Sequence, residues 1–413
     1  MKTVMILGAS NGQIPFIKIC KQKNCRVIVV SINGNYPGFE LADKCFYIDT
    51  RDKDTILKVA REEKIDAILT DQTDVSVPSV AYVSEKLGLR SIGYERAKVF
   101  SNKYLMRSAA KKLNVGVPDF CEAQTAMEAI ELSKDFTYPL IIKPVDSSGS
   151  RGVRKVNTPD ELAKYFEMTK AFSLTGNVIV EEFITGKEYL ADGIALGGKF
   201  INLDLGVKEY FDKPGMYISK MCMFTSAAAI DDPVGISVLE ANRTLAEGFG
   251  LPFGLTHAEY LVRESDKKVF LVEIAARGGG VFLSSDLTPR ACGFDTNRML
   301  IDYVIDGKCQ NLSNLKLATD TAAWICFELH PGTVKEIIGE DETRAIDGVF
   351  MVNISDIKPG THVDATMDDT SKRGPVLIHA KSREQCQKII DKVRQTLDVV
   401  TSDDNGTEYH IVW

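Results

Sequence analysis

Glu259 and Glu273 lie in the stretch Gly254 to Arg277, where two runs of β-branched, aromatic and aliphatic residues flank a charged turn near Glu264 to Lys268. With the turn centred near Asp266, Glu259 falls across the ladder from Glu273. Strand side chains alternate, so His257, Glu259, Glu273 and Arg277 share one face. The other face, with Ala258, Tyr260, Val262, Phe270, Val272 and Ile274, suits a core. Opposed carboxylates repel unless a cation lies between them. Magnesium is the natural choice, because it takes one or two protein carboxylates and completes its octahedron with water and substrate phosphates. An exposed strand face from which both acids point to water explains the same pair equally well.

A nucleotide would bring such a metal, and upstream stretches carry groups to hold one. The aliphatic strand Leu140-Ile141-Ile142 ends in Lys143 and runs into a loop containing Ser147, Ser148, Gly149, Ser150, Arg151 and Gly152. Small residues let successive backbone N–H groups and hydroxyls reach phosphate oxygens, and Lys143 adds a point charge. A flexible surface hairpin is the duller reading. It leaves unexplained why a lysine ends a run where an apolar residue packs at no cost. Asn177 to Tyr189 holds a strand ending in Glu181-Glu182-Phe183-Ile184, with Glu188 beyond. Backbone groups there suit the edge of a purine, apolar side chains suit its faces, and Glu188 suits ribose hydroxyls. Ser101-Asn102-Lys103 opens a helix through Leu113.

The rest of the chain must position these groups. Its 413 residues, 44% hydrophobic and 26% charged, suffice for two or three domains. A net charge of -7 argues against a nucleic-acid binder. No run approaches the ~20 apolar residues of a membrane span, and the N-terminus reads as a first strand rather than a signal peptide, so a cytoplasmic location is expected. The nine cysteines show no Cys-x-x-Cys spacing and read as reduced thiols rather than a zinc site. Residues 1 to about 95 alternate strand and helix signals, the rhythm of a parallel sheet with covering helices. In the first turn, Gly8-Ala-Ser-Asn-Gly12, Ser10 replaces the middle glycine of a dinucleotide loop and no third glycine follows. A tight turn, or one facing a small substrate, fits better. Asp71-Gln72-Thr73-Asp74 follows a strand at the sheet edge where ligands collect, although a capped loop is the simpler reading.

Lys103, Lys143 with its Ser-Ser-Gly loop, Glu181 to Glu188 and the Glu259/Glu273/Arg277 hairpin come in an order that resembles the ATP-grasp superfamily of carboxylate-amine ligases, over about residues 1 to 310. The resemblance implies an α/β chain with an N-terminal parallel-sheet (pre-ATP-grasp) domain, 1–95, and an ATP-grasp fold of two α+β subdomains with ATP between them, 96–310. The lid would cover about residues 120–185, and a C-terminal α+β segment would span 311–413. It further implies that Lys103 and Lys143 hold ATP phosphates under a lid of Ser147, Ser148, Gly149 and Gly152. Glu181, Glu182, Phe183 and Ile184 would seat adenine, with Glu182 and Ile184 acting through backbone groups, and Glu188 would bind ribose. Glu259 and Glu273 would bind Mg²⁺, or Mn²⁺ in its place, and Arg277, with Lys143, would serve catalysis by steadying the acyl-phosphate and tetrahedral intermediate. Many members carry Glu-x-Asn where this chain has Glu273-Ile-Ala275. In that departure it resembles the branch of bacterial L-amino acid ligases. A homodimer is usual for the family.

The implied reaction phosphorylates a carboxylate and passes the acyl group to an amine, releasing ADP and phosphate. Bicarbonate as acceptor, giving a carboxylase, and a nucleotide-binding protein without catalysis are the alternatives. An NAD-dependent oxidoreductase would leave the lysine and carboxylate motifs unexplained. His257 would orient substrate or be satisfied by its neighbours. Arg290 would pair with a substrate carboxylate or cap a helix, and Arg373 would reach the site or stay a solvated turn residue.

Overall fold

The computed structural model describes residues 1–213, 218–280, 282–368 and 371–413. Strands β1 (Thr3–Leu7), β2 (Arg26–Ser31), β3 (Lys44–Tyr47) and β4 (Ala67–Leu69) form a parallel sheet in the order β3-β2-β1-β4. Alternation divides β1 between two cores. Val4 and Ile6 pack with helices Ile14–Gln22 and Thr296–Asp306, while Met5 and Leu7 pack under helices Lys53–Glu62 and Val77–Lys86. A sheet covered on both faces needs strands that are apolar throughout, which is why these read as unbroken hydrophobic runs.

Strands β5 (Phe120–Ala123), β6 (Leu140–Pro144), β7 (Arg154–Val156) and β8 (Val178–Glu182) make a small antiparallel sheet in the order β5-β8-β6-β7. Leu140, Ile142, Val178 and Val180 face its two helices, Ala126–Leu132 and Pro159–Lys170. The intervening Ile141, Lys143 and Glu181 therefore face the other way. The lysine that ends the aliphatic run is thus buried on the sheet face opposite the two helices.

The largest sheet has eight strands, antiparallel throughout. It comprises β9 (Lys187–Leu196), β10 (Lys199–Tyr210), β11 (Ser219–Ser226), β12 (Gly254–Val262), β13 (Val269–Ala275), β14 (Thr321–Phe327) and the strands Val349–Val352 and Arg373–Ala380. The order runs β13-β12-β9-β10-β11-β14 and then Arg373–Ala380 and Val349–Val352, so C-terminal strands extend the sheet that carries the glutamate hairpin. A separate four-stranded sheet holds Gly332–Ile338, His362–Val363, Asp398–Ser402 and Glu408–Tyr409. Among the described residues no helix is long and apolar enough to cross a membrane.

Glu259 does pair with Glu273. Next to the turn, however, Val262 pairs with Val269, and a bulge at Val272 brings the glutamates back into register. The bulge corrects the expected core face. Leu271 joins the core with Ala258, Tyr260, Val262 and Ile274, Val272 is half-buried, and Phe270 lies under the Arg263 and Lys268 side chains.

Candidate active site

The charged face of the large sheet gathers residues from neighbouring strands. Glu188 on β9 lies opposite Leu261 on β12, Leu190 opposite Glu259, and Asp192 opposite His257. His257 also pairs with Ala275, so the alanine expected in a ligand's place lies on the site face beside a histidine. Lys208, from β10, contacts Glu188. Burial works against the Lys208 charge, but Glu259 and Glu188 hold its pKa well above that of a free lysine. For Glu259, burial likewise works against the charge; Lys208, His257 and Arg277 outweigh it, so the carboxyl stays below its ordinary range. Glu188 is also bonded by the Tyr210 hydroxyl.

Lys103 links this face to the 147–152 loop. Asn102 caps its helix, Lys103–Lys112, by accepting from the Leu105 N–H at 3.0 Å. Lys103 N donates to Val145 O at 2.7 Å, and its ammonium donates to Ser147 O at 2.7 Å while lying 3.5 Å from Glu273. One turn along, the fully buried Arg107 donates to Val272 O at 2.6 Å, the carbonyl of the bulge residue, and its Nε lies 2.7 Å from Glu181 Oε1. Lys143 Nζ lies 2.5 Å from the other Glu181 oxygen. Glu181, expected at an adenine edge, is thus a buried counter-ion shared by two cations. Burial opposes its charge, yet Arg107 and Lys143 keep its pKa lowered. Burial likewise lowers the pKa of Lys143 against the pull of Glu181.

The 147–152 loop uses its carbonyls and leaves its amides open. Ser147, Ser148 and Ser150 oxygens accept from Lys103, Arg151 and Val153 N, whereas the N–H groups of residues 147–152 have no partner among the described residues. Gly149, Ser150 and Gly152 take left-handed φ values of 66°, 56° and 77°. At Gly152 a Cβ would also come within 2.9 Å of the Phe172 ring, so a glycine is required there. In the connector the Glu182 and Phe183 amides donate to Asp119 O and Pro139 O, and Lys155 sits over the Phe183 ring at 4.0 Å. The Ile184 amide has no partner among the described residues.

Arg277 is fixed from the loop after β4. Its Nε and Nη2 donate to the Asp74 oxygens at 2.8 and 2.9 Å, and Nη1 donates to Gly278 O at 3.0 Å. Burial disfavours the Arg277 charge, but Asp74 more than offsets it. Asp71, in the same loop, accepts from Gly278 N and the Ser284 hydroxyl, both at 2.8 Å. Burial still pushes its pKa up to about 6. The loop after β4 is therefore a clasp onto the hairpin's end rather than only a capped turn. Nearby, a cleft of about 310 Å³ over the carboxyl ends of the parallel sheet is lined by the Gly8 turn, Tyr36, Arg51 and Ser76, with Arg151 from the 147–152 loop.

Two candidates have other partners. Arg290 donates to Asp286 O at 3.0 Å and lies over the Phe350 ring at 3.8 Å. Arg373 begins a strand, rather than lying in a loop before it, and pairs with Asp356 at 3.4 Å. Sequence reasoning missed Arg107, Lys208, Tyr210 and Asp74 as members of the cluster. Arg107 was legible as the second cation, with Lys103, on the buried stripe Lys103, Met106, Arg107 and Ala110.

Residues 136–285 match the ATP-grasp domain family, and residues 326–402 match L-amino acid ligase C-terminal domain 2. The chain is 27% identical over 301 residues to the uncharacterized protein y4rH of Sinorhizobium fredii, covering 72% of this chain and 60% of that one. It is 25% identical over 343 residues to alanine–anticapsin ligase of Bacillus subtilis, covering 76% and 72%. The solved L-amino acid ligase of Bacillus licheniformis shares the fold, with a TM-score of 0.76 over 98% of this chain and 99% of that one at 19% identity. The chain thus spans less than two thirds of y4rH. The chain thus carries an ATP-grasp domain followed by an L-amino acid ligase C-terminal domain 2.

Proposed function

We propose that the protein is an ATP-dependent carboxylate-amine ligase that activates a carboxylate as an acyl-phosphate and joins it to an amine. The observation that carries this reading is the opposed pair Glu259 and Glu273, with Lys103 reaching from the lid side to within 3.5 Å of Glu273. Among the described residues no set of three or more His, Cys, Asp or Glu is arranged to hold a metal. A carboxylate pair fits Mg²⁺, or Mn²⁺, whose remaining positions are filled by nucleotide phosphates and water. Bound there, the ion would neutralise charge on the phosphoryl oxygens.

Lys103, Lys143 and Lys208 would bring positive charge to phosphates that otherwise repel an incoming carboxylate. The open amides of 147–152 would bind phosphate oxygens, Phe183 and Ile184 would seat adenine, and Glu188 would hold ribose. The carboxylate oxygen attacks the γ-phosphorus and ADP leaves. The amine then attacks the acyl carbon, loses a proton and expels phosphate. Of the five N–H donors of a guanidinium, Arg277 has two left beyond Asp74 and Gly278, one on each terminal nitrogen, for the developing oxyanion. Closure of the 147–152 loop would exclude water from the acyl-phosphate. We place the N-terminal domain at 1–95, the ATP-grasp domain at 96–310 and the C-terminal segment at 311–413, in a cytoplasmic homodimer acting on small molecules. A screen of carboxylate and amine pairs with Mg²⁺-ATP tests the reaction. ADP release requiring both partners is expected; release driven by bicarbonate alone would point to a carboxylase.

A further inference from the structure

Beside the hairpin, two more acids of the same sheet lie side by side. Asp192 on β9 and Asp204 on β10 are cross-strand partners and are 3% and 0% exposed. Among the described residues no lysine or arginine pairs with either; the one ionisable partner is His257, whose Nδ1 lies 3.1 Å from Asp192 Oδ1. Three oxygens, Asp192 Oδ2 and both of Asp204, make no well-formed hydrogen bond among the described residues, although the Thr288 hydroxyl and the Asp192 amide approach Asp204. The groups that face Asp204 are Asp192 from β9, the Thr288 hydroxyl and Cys292 thiol from the helix Thr288–Cys292, and Cys222 from β11.

A buried carboxylate without a donor is costly, and two such carboxylates in contact cannot both stay charged. A single proton resolves both problems. Placed on Asp204 and donated to Asp192, it converts two orphaned acceptors into one hydrogen bond and leaves one negative charge for His257. Burial and the neighbouring Asp192 also push Asp204 well above the ordinary carboxyl range.

We infer that Asp192 and Asp204 share one proton as a monoanion, and that this pair positions the His257 ring through the contact between Asp192 and Nδ1. On the far side of the ring, Nε2 lies 3.9 Å from Glu259 Oε1. A glycine is needed beside the imidazole, because a Cβ at Gly279 would come within 2.9 Å of Nδ1. Asp192 and Asp204 are positioning residues: they fix the imidazole on the face where substrate would lie. That this serves catalysis rests on the ligase reading; the shared proton does not.

Infrared spectroscopy tests the proton directly. At neutral pH the wild type should show the carbonyl stretch of a buried, protonated carboxyl, and Asp204→Asn should remove it. The carboxamide has the same shape and donates an N–H to Asp192, so the variant should fold, and its kcat should fall less than that of Asp192→Asn. Asp192→Asn should lower kcat about tenfold or more with KM for ATP unchanged, the scale seen when a partner behind a functional histidine is altered. A band that survives Asp204→Asn, or a kcat that falls as far in Asp204→Asn as in Asp192→Asn, would overturn the inference. If no carboxylate and amine pair supports turnover, the ligase reading fails, and the infrared spectra still decide the proton.

Discussion

Replacing Asp74 by alanine should loosen the one residue proposed to meet the oxyanion. The Asp74 and Arg277 side chains are 15% and 12% exposed, and two of the three hydrogen bonds recorded for the guanidinium end on Asp74. Removing one member of a buried, hydrogen-bonded pair typically costs about 3–5 kcal/mol, because the remaining charge is left uncompensated. The slight exposure admits water to Arg277, which favours the lower end, about 3 kcal/mol. Urea unfolding would show this as a lower midpoint at constant slope. Turnover should fall more steeply, by about a hundredfold, the scale of losing about 1 Å of alignment, while KM for ATP holds because the lid is untouched. The double variant Asp74→Leu/Arg277→Met should regain most of the stability but none of the turnover. An Asp74→Ala protein within about 1 kcal/mol of wild type and with full kcat would refute the clasp.

Asp71 predicts a pH dependence. Its folded pKa of about 6 lies above the ordinary 3.8, so its neutral form adds stability that is complete below about 3.8 and is lost as pH rises through about 6. At ~1.4 kcal/mol per pH unit the loss is about 3 kcal/mol, and Asp71→Asn should flatten that part of a pH series of urea midpoints; identical slopes would contradict it. Lys143, Arg107 and Glu181 form a buried trio with one surplus positive charge, suited to phosphate. Mg²⁺-ADP at a hundred times its Kd should stabilise the wild type by about 2.7 kcal/mol in thermal unfolding. Lys143→Met should keep the unliganded midpoint, since Arg107 still pairs with Glu181, and lose most of the ligand shift; an intact shift would remove Lys143 from the nucleotide site.

The hairpin was legible because a period of two fixes which residues share a face, and that survived a turn centred slightly off Asp266. The bulge was not legible. It depends on Arg107 reaching the Val272 carbonyl from another element. Lys143 was singled out because it ends an aliphatic run, and strand alternation supplies the reason. Its partner Glu181 was given a different role, since a nucleotide seat and a buried counter-ion use the same residue type. Lys208, Tyr210, Asp192 and Asp204 were missed for a topological reason. They reach the site only because β9 and β10 lie next to β12, and strand order is a non-local property that local spacing does not encode. Asp74 was noticed at the sheet edge where ligands collect, but its partner stands at the end of the distant hairpin.

The central claim is that Glu259 and Glu273 act together on the nucleotide's metal-bound phosphates. Its most direct test is ADP release by Glu273→Gln, run beside the wild type with Mg²⁺ and a productive carboxylate and amine pair, with the fold checked by circular dichroism. The account predicts an intact fold and a rate reduced by at least about a hundredfold, in keeping with the loss of electrostatic stabilisation at a developing charge. An unchanged rate would contradict it.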